Sequence, residues 1–255
     1  MRNRILKVTI GNVHNIGKRE SQQDSFGISD LSNKKLCKEN GIFAVVADGM
    51  GGLSGGAQIS AIVTSRMLSY FAGSKEKESP KLLLNMLFDA SLEVRNYLMS
   101  QGNQHSGSTV VSVLIRENEL YFLTVGDSRI YLHRGGELLL LNREHIYGSE
   151  LDEKAAKGEI TVDEARNDPQ RSALTSYIGM EHIALIDRNL HPVTLMKGDR
   201  ILLMSDGIFG TLTGDEIGAV AKYHAYDAAI SMEKAVLKKE KSNQDNFTSI
   251  IIELE

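Results

Sequence analysis

Short apolar, β-branched runs recur along the chain at Ile42 to Ala47, Thr109 to Ile115, Leu120 to Val125, Ile201 to Met204 and Phe247 to Leu254, and they predict strands. Three longer stretches carry apolar residues at helical spacing. Ile59, Ile62, Val63, Met67 and Tyr70 mark Ala57 to Phe71, and Leu84, Leu87, Phe88, Leu92 and Val94 mark Lys81 to Met99. Ala225 to Lys239 is the third, with weaker periodicity. Only Arg116-Glu117-Asn118-Glu119 separates the second strand from the third, which predicts antiparallel hairpins and not alternating βαβ units. Between Tyr147 and Arg171 the pattern gives way to a polar, charge-rich insert. There Thr161-Val162-Asp163-Glu164 offers a capping box and Gly158 a stop for the helix before it. The insert suits a helical excursion from the sheet, a surface flap, as well as it suits a solvated loop. No proline-rich linker, low-complexity tract or fixed-period repeat interrupts residues 1–255, which read as one domain.

Composition narrows the class. The 255 residues are 42% hydrophobic and 24% charged, with a net charge of −4, as in ordinary globular proteins. A chain of this length buries enough surface to need no disulfide staple. Its one cysteine, Cys37, can form neither an internal disulfide nor a cysteine zinc site. Lys7 splits the short apolar stretch near the start, so no signal peptide is expected, and no apolar run approaches the ~20 residues of a membrane span. The expected location is cytoplasmic, with no membrane contact. Mild acidity argues against a nucleic-acid binder that works through a basic face.

Candidate chemistry lies where the strands end. Val46-Ala47-Asp48-Gly49, Val125-Gly126-Asp127-Ser128 and Met204-Ser205-Asp206-Gly207 each carry an apolar run into an aspartate, and Asp245 opens the last strand. In an antiparallel sheet the end of one strand lies beside the start of the next, so the four carboxylates are expected to gather at one sheet edge. Crowded carboxylates repel one another and hold their protons, a conflict a divalent cation removes. Oxygen ligands suit Mg²⁺ or Mn²⁺, whereas zinc would call for His or Cys. A glycine after aspartate is expected to let the chain turn sharply and offer its carbonyl. One Asp-Gly is ordinarily just a turn; three such strand ends with Asp245 point to a shared site. Arg19, five residues before Asp24, would alone be a solvated arginine. Next to such a site its guanidinium can hold two phosphate oxygens.

Three other motifs fail on inspection. Gly52-Leu53-Ser54-Gly55-Gly56 matches a serine-hydrolase elbow, but Ser54 lies six residues past Asp48 and away from the strand-to-helix turn. Gly49-Met50-Gly51-Gly52 lacks the third glycine of a dinucleotide loop. Gly11 to Lys18 has one residue too many for a P-loop, and Arg19 stands at its Ser/Thr position.

Taken in order, Arg19 with Gln23-Asp24, Val46-Ala47-Asp48-Gly49-Met50-Gly51-Gly52, Gly107-Ser108-Thr109, Val125-Gly126-Asp127-Ser128-Arg129, Leu174-Thr175, Ser205-Asp206-Gly207 and Asp245-Asn246-Phe247-Thr248 resemble the metal-dependent serine/threonine protein phosphatases of type 2C, the PPM family, in their short bacterial form. The resemblance implies an α+β fold, a four-layer α-β-β-α sandwich of two antiparallel sheets. It implies that Asp48, Asp206 and Asp245 bind two catalytic Mn²⁺ or Mg²⁺ ions, helped by the Gly49 carbonyl and, through water, by Asp24. Asp127 with Asp206 matches a third-metal site, and Arg19 the phosphate-binding arginine. The implied reaction is hydrolysis of phosphoserine and phosphothreonine in proteins phosphorylated by a Ser/Thr kinase, by a water activated between two ions. The residue 147–171 insert becomes the flap beside the cleft, and the expected state is a monomer. The chain departs from the family at Ala57, where glutamate is common, at Leu53 and Met50, where histidines occur, at Ser176, usually arginine, and at Gln23, often glutamate. Leu53 and Met50 leave the general acid unassigned among side chains. Leu53, Ala57 and Ser176 also keep open the alternative of a catalytically weak binding or regulatory module built on a phosphatase fold.

Overall fold

The computed structural model describes residues 6–51, 55–102 and 106–255. The first part runs β1 (Val8–Asn15), β2 (Asp24–Ile28), α1 (Lys34–Asn40), β3 (Ile42–Met50), α2 (Gly55–Gly73) and α3 (Ser79–Gln101). Then come β4 (Gly107–Ser108), β5 (Val110–Arg116), β6 (Glu119–Val125), β7 (Arg129–Arg134), β8 (Glu137–Leu140), α4 (Tyr147–Ala156) and α5 (Val162–Asn167). The chain closes with β9 (Asp187–Arg188), β10 (Val193–Thr194), β11 (Arg200–Met204), α6 (Asp206–Phe209), α7 (Gly214–Ala221), α8 (Ala225–Lys238) and β12 (Phe247–Leu254). All five expected strands and all three expected helices are present. Most expected bounds move by one or two residues; the largest shift is in the strand from Ile42, which continues past Ala47 to Met50, and Thr109 lies just outside β5.

The strands form two antiparallel sheets, one ordered β1-β12-β11-β7-β8 and the other β10-β6-β5-β3-β2, with β4 beside β3 and β9 beside β6. Period-two alternation sorts their side chains into layers. Along β3, Phe43, Val45 and Ala47 pack with Ile59, Val63, Met67 and Phe71 of α2 and Leu83, Leu87 and Val94 of α3. Ala44 and Val46 face the other way, into the space between the sheets, where they meet Val111 and Val113 of β5, Ile201 and Leu203 of β11 and Ile250 and Ile252 of β12. On the far side Leu202, Met204 and Ile251 pack against Ile217 of α7 and Ala228, Met232 and Val236 of α8. The result is the α-β-β-α order that the resemblance implies.

The insert is helical. Thr161 caps α5 through the full capping box with Glu164, and Gly158 sits at φ +75° just beyond α4. Arg171 ties the two helices together, forking Asp152 at 3.0 and 2.6 Å and donating to the Ala165 carbonyl. The β5–β6 hairpin turns where expected, with Glu117 held at φ 56°. Asparagine tolerates that conformation better than glutamate. Glu117→Asn is therefore expected to stabilise the fold by on the order of 1 kcal/mol, read as a small rise in melting temperature.

Candidate metal centre

At one end of the sandwich the stripe of residues between the sheets turns polar. Asp24 continues the stripe of Phe26 and Ile28, and Asp48 that of Ala44 and Val46. By the same parity Thr109 continues β5, Ser128 precedes Ile130 of β7, Ser205 follows Leu203 and Thr248 precedes Ile250. Asp24 and Asp48 are cross-strand partners, so their side chains share one face. Asp127 follows β6 as the chain crosses to β7 in the other sheet. Asp206 opens α6 directly after β11, and Asp245 lies two residues before β12. The carboxylates thus come from both sheets and meet between their ends. Instead of the single sheet edge expected from antiparallel neighbours, two sheets contribute, because the chain changes sheets at Gly126–Ser128. Asp48, Gly49, Asp127, Asp206, Asp245 and Arg19 line one open cleft of about 550 Å³, with Leu174 at its wall.

The aspartates are held from below. The Asp48 carbonyl accepts from the Thr109 amide at 2.8 Å and the Ser108 hydroxyl at 3.0 Å, and the Asp48 amide donates to Thr109 Oγ1 at 3.2 Å. Thr109 Oγ1 in turn meets Ser128 Oγ at 2.8 Å. Ser205 Oγ donates to Asp24 Oδ2 at 2.7 Å and accepts from the Thr248 amide at 3.0 Å. Motifs that carried no assigned role in the sequence, Gly107-Ser108-Thr109 and Ser205, hold the backbone of Asp48 and the carboxylate of Asp24. For Thr109 and Ser205 the signal was the strand parity itself, which places those two hydroxyls in line with the stripe between the sheets; Ser108 has the opposite parity.

The glycines after aspartate act through close approach, not by turning the chain. Gly49 stays in β3, paired with Ser108, and its amide donates to the Gln23 carbonyl at 3.0 Å. A Cβ there would come within 2.2 Å of the Gly56 carbonyl oxygen. Gly207 sits inside the helical turn α6, where a Cβ would meet the Asn246 carbonyl oxygen at 2.0 Å. The sharp turn expected at Asp48-Gly49 is therefore absent; the strand runs on, and glycine lets α2 and the Gln23 backbone crowd against it.

Burial and mutual repulsion set the protonation of the cluster. Asp24 is 5% exposed, and burial, opposed by its hydroxyl partners, pushes it up to about 6. Its Oδ1 is buried without a hydrogen-bond partner. Asp48 is held well above the carboxylate range by burial first, then by Asp24, Asp206, Asp127 and Asp245. Burial, with Asp206 second, pushes Asp127 up to about 7, and burial and Asp245 raise Asp206. A carboxyl raised in the folded state stabilises the fold most below its unfolded pKa, and that stability is lost as pH rises through the folded value. EDTA-treated protein is therefore expected to melt progressively lower between about pH 5 and about pH 8. Added Mn²⁺ should flatten that slope, as followed by thermal denaturation.

Arg19 stands at the rim. Its Nε and Nη2 donate to the two oxygens of Asp245 at 2.8 and 2.6 Å, an ion pair that raises the guanidinium pKa. Asn246 fixes the segment that carries it: Oδ1 accepts from the Gln23 amide at 2.8 Å, and Nδ2 donates to the Ile16 and Ser21 carbonyls at 2.9 and 3.1 Å. The Lys18 amide donates to the Gln244 carbonyl at 2.8 Å.

Among the described residues no three His, Cys, Asp or Glu side chains stand converged as a cation cage. Asp48 and Asp206 hydrogen-bond to each other, and Arg19 occupies Asp245. The donor set still fits a hard divalent ion. Its groups are all oxygens, their repulsion is relieved by positive charge, and the orphaned Asp24 Oδ1 faces no other partner.

Of the departures, Ser176 is fully buried and closes a loop, donating to the Leu185 carbonyl at 2.8 Å and accepting from its amide at 2.9 Å. Gln23 and Met50 line the cleft. Leu53, and the elbow motif Gly52-Leu53-Ser54, lie outside the described residues. The P-loop-like stretch from Gly11 begins inside β1, which leaves no phosphate-wrapping loop.

The chain belongs to the protein phosphatase 2C family, which it matches over residues 11–244. Protein phosphatase PhpP of Streptococcus pneumoniae is 30% identical over 196 residues, 74% of this chain and 76% of that protein. The PPM Ser-Thr phosphatase MsPP of Mycobacterium smegmatis, solved with cacodylate, is 28% identical and superposes with a TM-score of 0.78 over 97% of this chain and 98% of its own. The catalytic domain of the serine threonine protein phosphatase PstP, solved with two manganese ions, shares the fold at 21% identity, with a TM-score of 0.77 over 97% of this chain and 98% of its own.

Proposed function

We propose that this chain is a metal-dependent protein serine/threonine phosphatase, one domain over residues 1–255, hydrolysing phosphoserine and phosphothreonine in protein substrates. The observation that carries the reading is the buried cluster of Asp24, Asp48 and Asp206, raised by burial and by neighbouring carboxylates, near which Arg19 is itself paired with Asp245. Asp48, Asp206 and Asp245 would hold two Mn²⁺ or Mg²⁺ ions with the Gly49 carbonyl, and Asp24 would act through water. Asp127 with Asp206 would take a third. When bound, the ions supply Lewis acidity toward the phosphoryl group and acidify the attacking water.

The chain's own residues do the rest. Arg19 presents a fork that matches two phosphate oxygens. Thr109, Ser205 and Asn246 keep the carboxylates and the Arg19 segment in register. Helices α4 and α5, tied to the cleft wall by the Ile146–Leu174 bridge, form the flap past which a protein substrate approaches. The open cleft suits a phosphorylated side chain carried on a polypeptide better than an enclosed small molecule. No helix of the described residues is long and apolar enough to cross a membrane; a monomer in the cytoplasm is the state proposed.

Phosphate release from a phosphothreonine peptide tests the reading. Turnover is expected with Mn²⁺ or Mg²⁺ and none with EDTA, with bound metal measured on the same sample. Turnover indifferent to EDTA would overturn it.

A further inference from the structure

The ion pair between Arg19 and Asp245 joins two groups to which the phosphatase reading gives separate tasks. Both oxygens of Asp245 are engaged, at 2.8 and 2.6 Å, so a guanidinium and a cation cannot hold this carboxylate in the same way at once. Asp206 and Asp48 add attraction on Arg19 at longer range. The backbone beneath Arg19 is clamped by Asn246 and by the Lys18–Gln244 hydrogen bond, so the segment has no freedom to carry the arginine away. The Arg19 side chain, 56% exposed, does have freedom to rotate about its own bonds. Rotation is therefore how the pair opens, and the direction open to it is the cleft that Arg19 lines.

We propose that Arg19 and the catalytic cation compete for Asp245, so that metal loading releases the guanidinium to the substrate phosphate. The inference rests on the phosphatase reading of the site. It makes Arg19 a coupling device as well as an anion binder. While Asp245 holds Arg19, phosphate must break an ion pair to bind; once a cation holds Asp245, that cost is gone. Linkage then requires the reverse, that phosphate engaging Arg19 frees Asp245 and strengthens metal binding.

Mn²⁺ binding to EDTA-stripped protein, followed by titration calorimetry, tests this without turnover. Arg19→Ala should bind Mn²⁺ about three- to tenfold more tightly than the parent, the scale of an exposed bidentate pair. Arg19→Lys keeps the charge but cannot fork both oxygens, and should fall between the two. Affinity rising in Arg19→Ala but unchanged in Arg19→Lys would mean simple charge repulsion and would overturn the exchange. Inorganic phosphate should strengthen Mn²⁺ binding more in the parent than in Arg19→Ala, since only the parent has a pair to open. Equal strengthening in both would also overturn it. Absence of Mn²⁺ binding in every variant would sink the metal reading itself, an outcome distinct from normal binding that is blind to Arg19.

Discussion

Asp206→Asn is expected to lower phosphatase activity by on the order of a thousandfold while raising the melting temperature of the metal-free protein. The two effects have one cause. Asp206 opens α6 at the mouth of the cleft, raised by burial and by Asp245 and hydrogen-bonded to Asp48. In a metal-free protein near neutral pH, each further negative charge in that cluster works against the fold. The amide keeps the shape and removes the charge, so the fold gains what the site loses. The parent should also rise in melting temperature when Mn²⁺ is added, because a ligand that binds only the folded state stabilises it. Asp206→Asn should show much less of that rise. Thermal melts with and without Mn²⁺, beside an assay on a phosphothreonine peptide, read both effects. A variant that loses activity and stability together would make Asp206 a structural residue, and the cluster would then owe its burial to packing.

Much of this arrangement was legible in the sequence, and the parts that were not share a physical reason. The long apolar runs announced β3, β5, β6, β11 and β12, because strands buried on both faces read as near-continuous hydrophobic stretches. The strands that escaped are short or broken by polar residues. In β1, Gly11, Asn12 and His14 interrupt the pattern; β2 offers only Phe26 and Ile28; β7 is framed by Arg129 and Arg134. These segments are strands because their neighbours pair with them, as β1 does along the whole length of β12. Such pairing between residues far apart in sequence leaves no local trace.

The site divides in the same way. Its aspartates and Arg19 stood out by type and spacing; the structure brings Asp48, Asp127, Asp206, Asp245 and Arg19 to one cleft, while Asp24 is buried beside Asp48 and does not line it. What lay beyond reach was their partition between two sheets and the pairing of Arg19 with Asp245, 226 residues apart. The supporting hydroxyls of Thr109 and Ser205 were within reach, since both sit two residues from a strand residue already assigned to the interior. The small net charge of −4 also changes meaning once placed. Several of the acidic groups are not spread over the surface but concentrated where a bound cation can neutralise them.

The same substitution made at two glycines should move stability in opposite directions. Gly49 has no room for a methyl group: its Cβ would lie 2.2 Å from the Gly56 carbonyl oxygen and 2.7 Å from that of Gln23, both backbone atoms. A side chain could rotate out of the way, but these atoms belong to the start of α2 and to the residue before β2. Relief would require prising β3 from both. Gly49→Ala is therefore expected to cost on the order of 3 kcal/mol, a fall of roughly ten degrees for a chain of this size. It should also weaken Mn²⁺ binding, because Asp48 and Asp24 move with the strands that must separate. Gly73, the last residue of α2, meets nothing within 4 Å and needs no left-handed backbone. There alanine restricts the unfolded chain without straining the folded one, and Gly73→Ala should stabilise by about 0.4–1 kcal/mol with metal binding untouched. Thermal denaturation and Mn²⁺ titration of the two variants side by side separate the explanations. If both glycines tolerated alanine equally, close approach at Gly49 would not be what keeps Asp48 beside Asp24, and the register of β2 with β3 would have to carry that task alone.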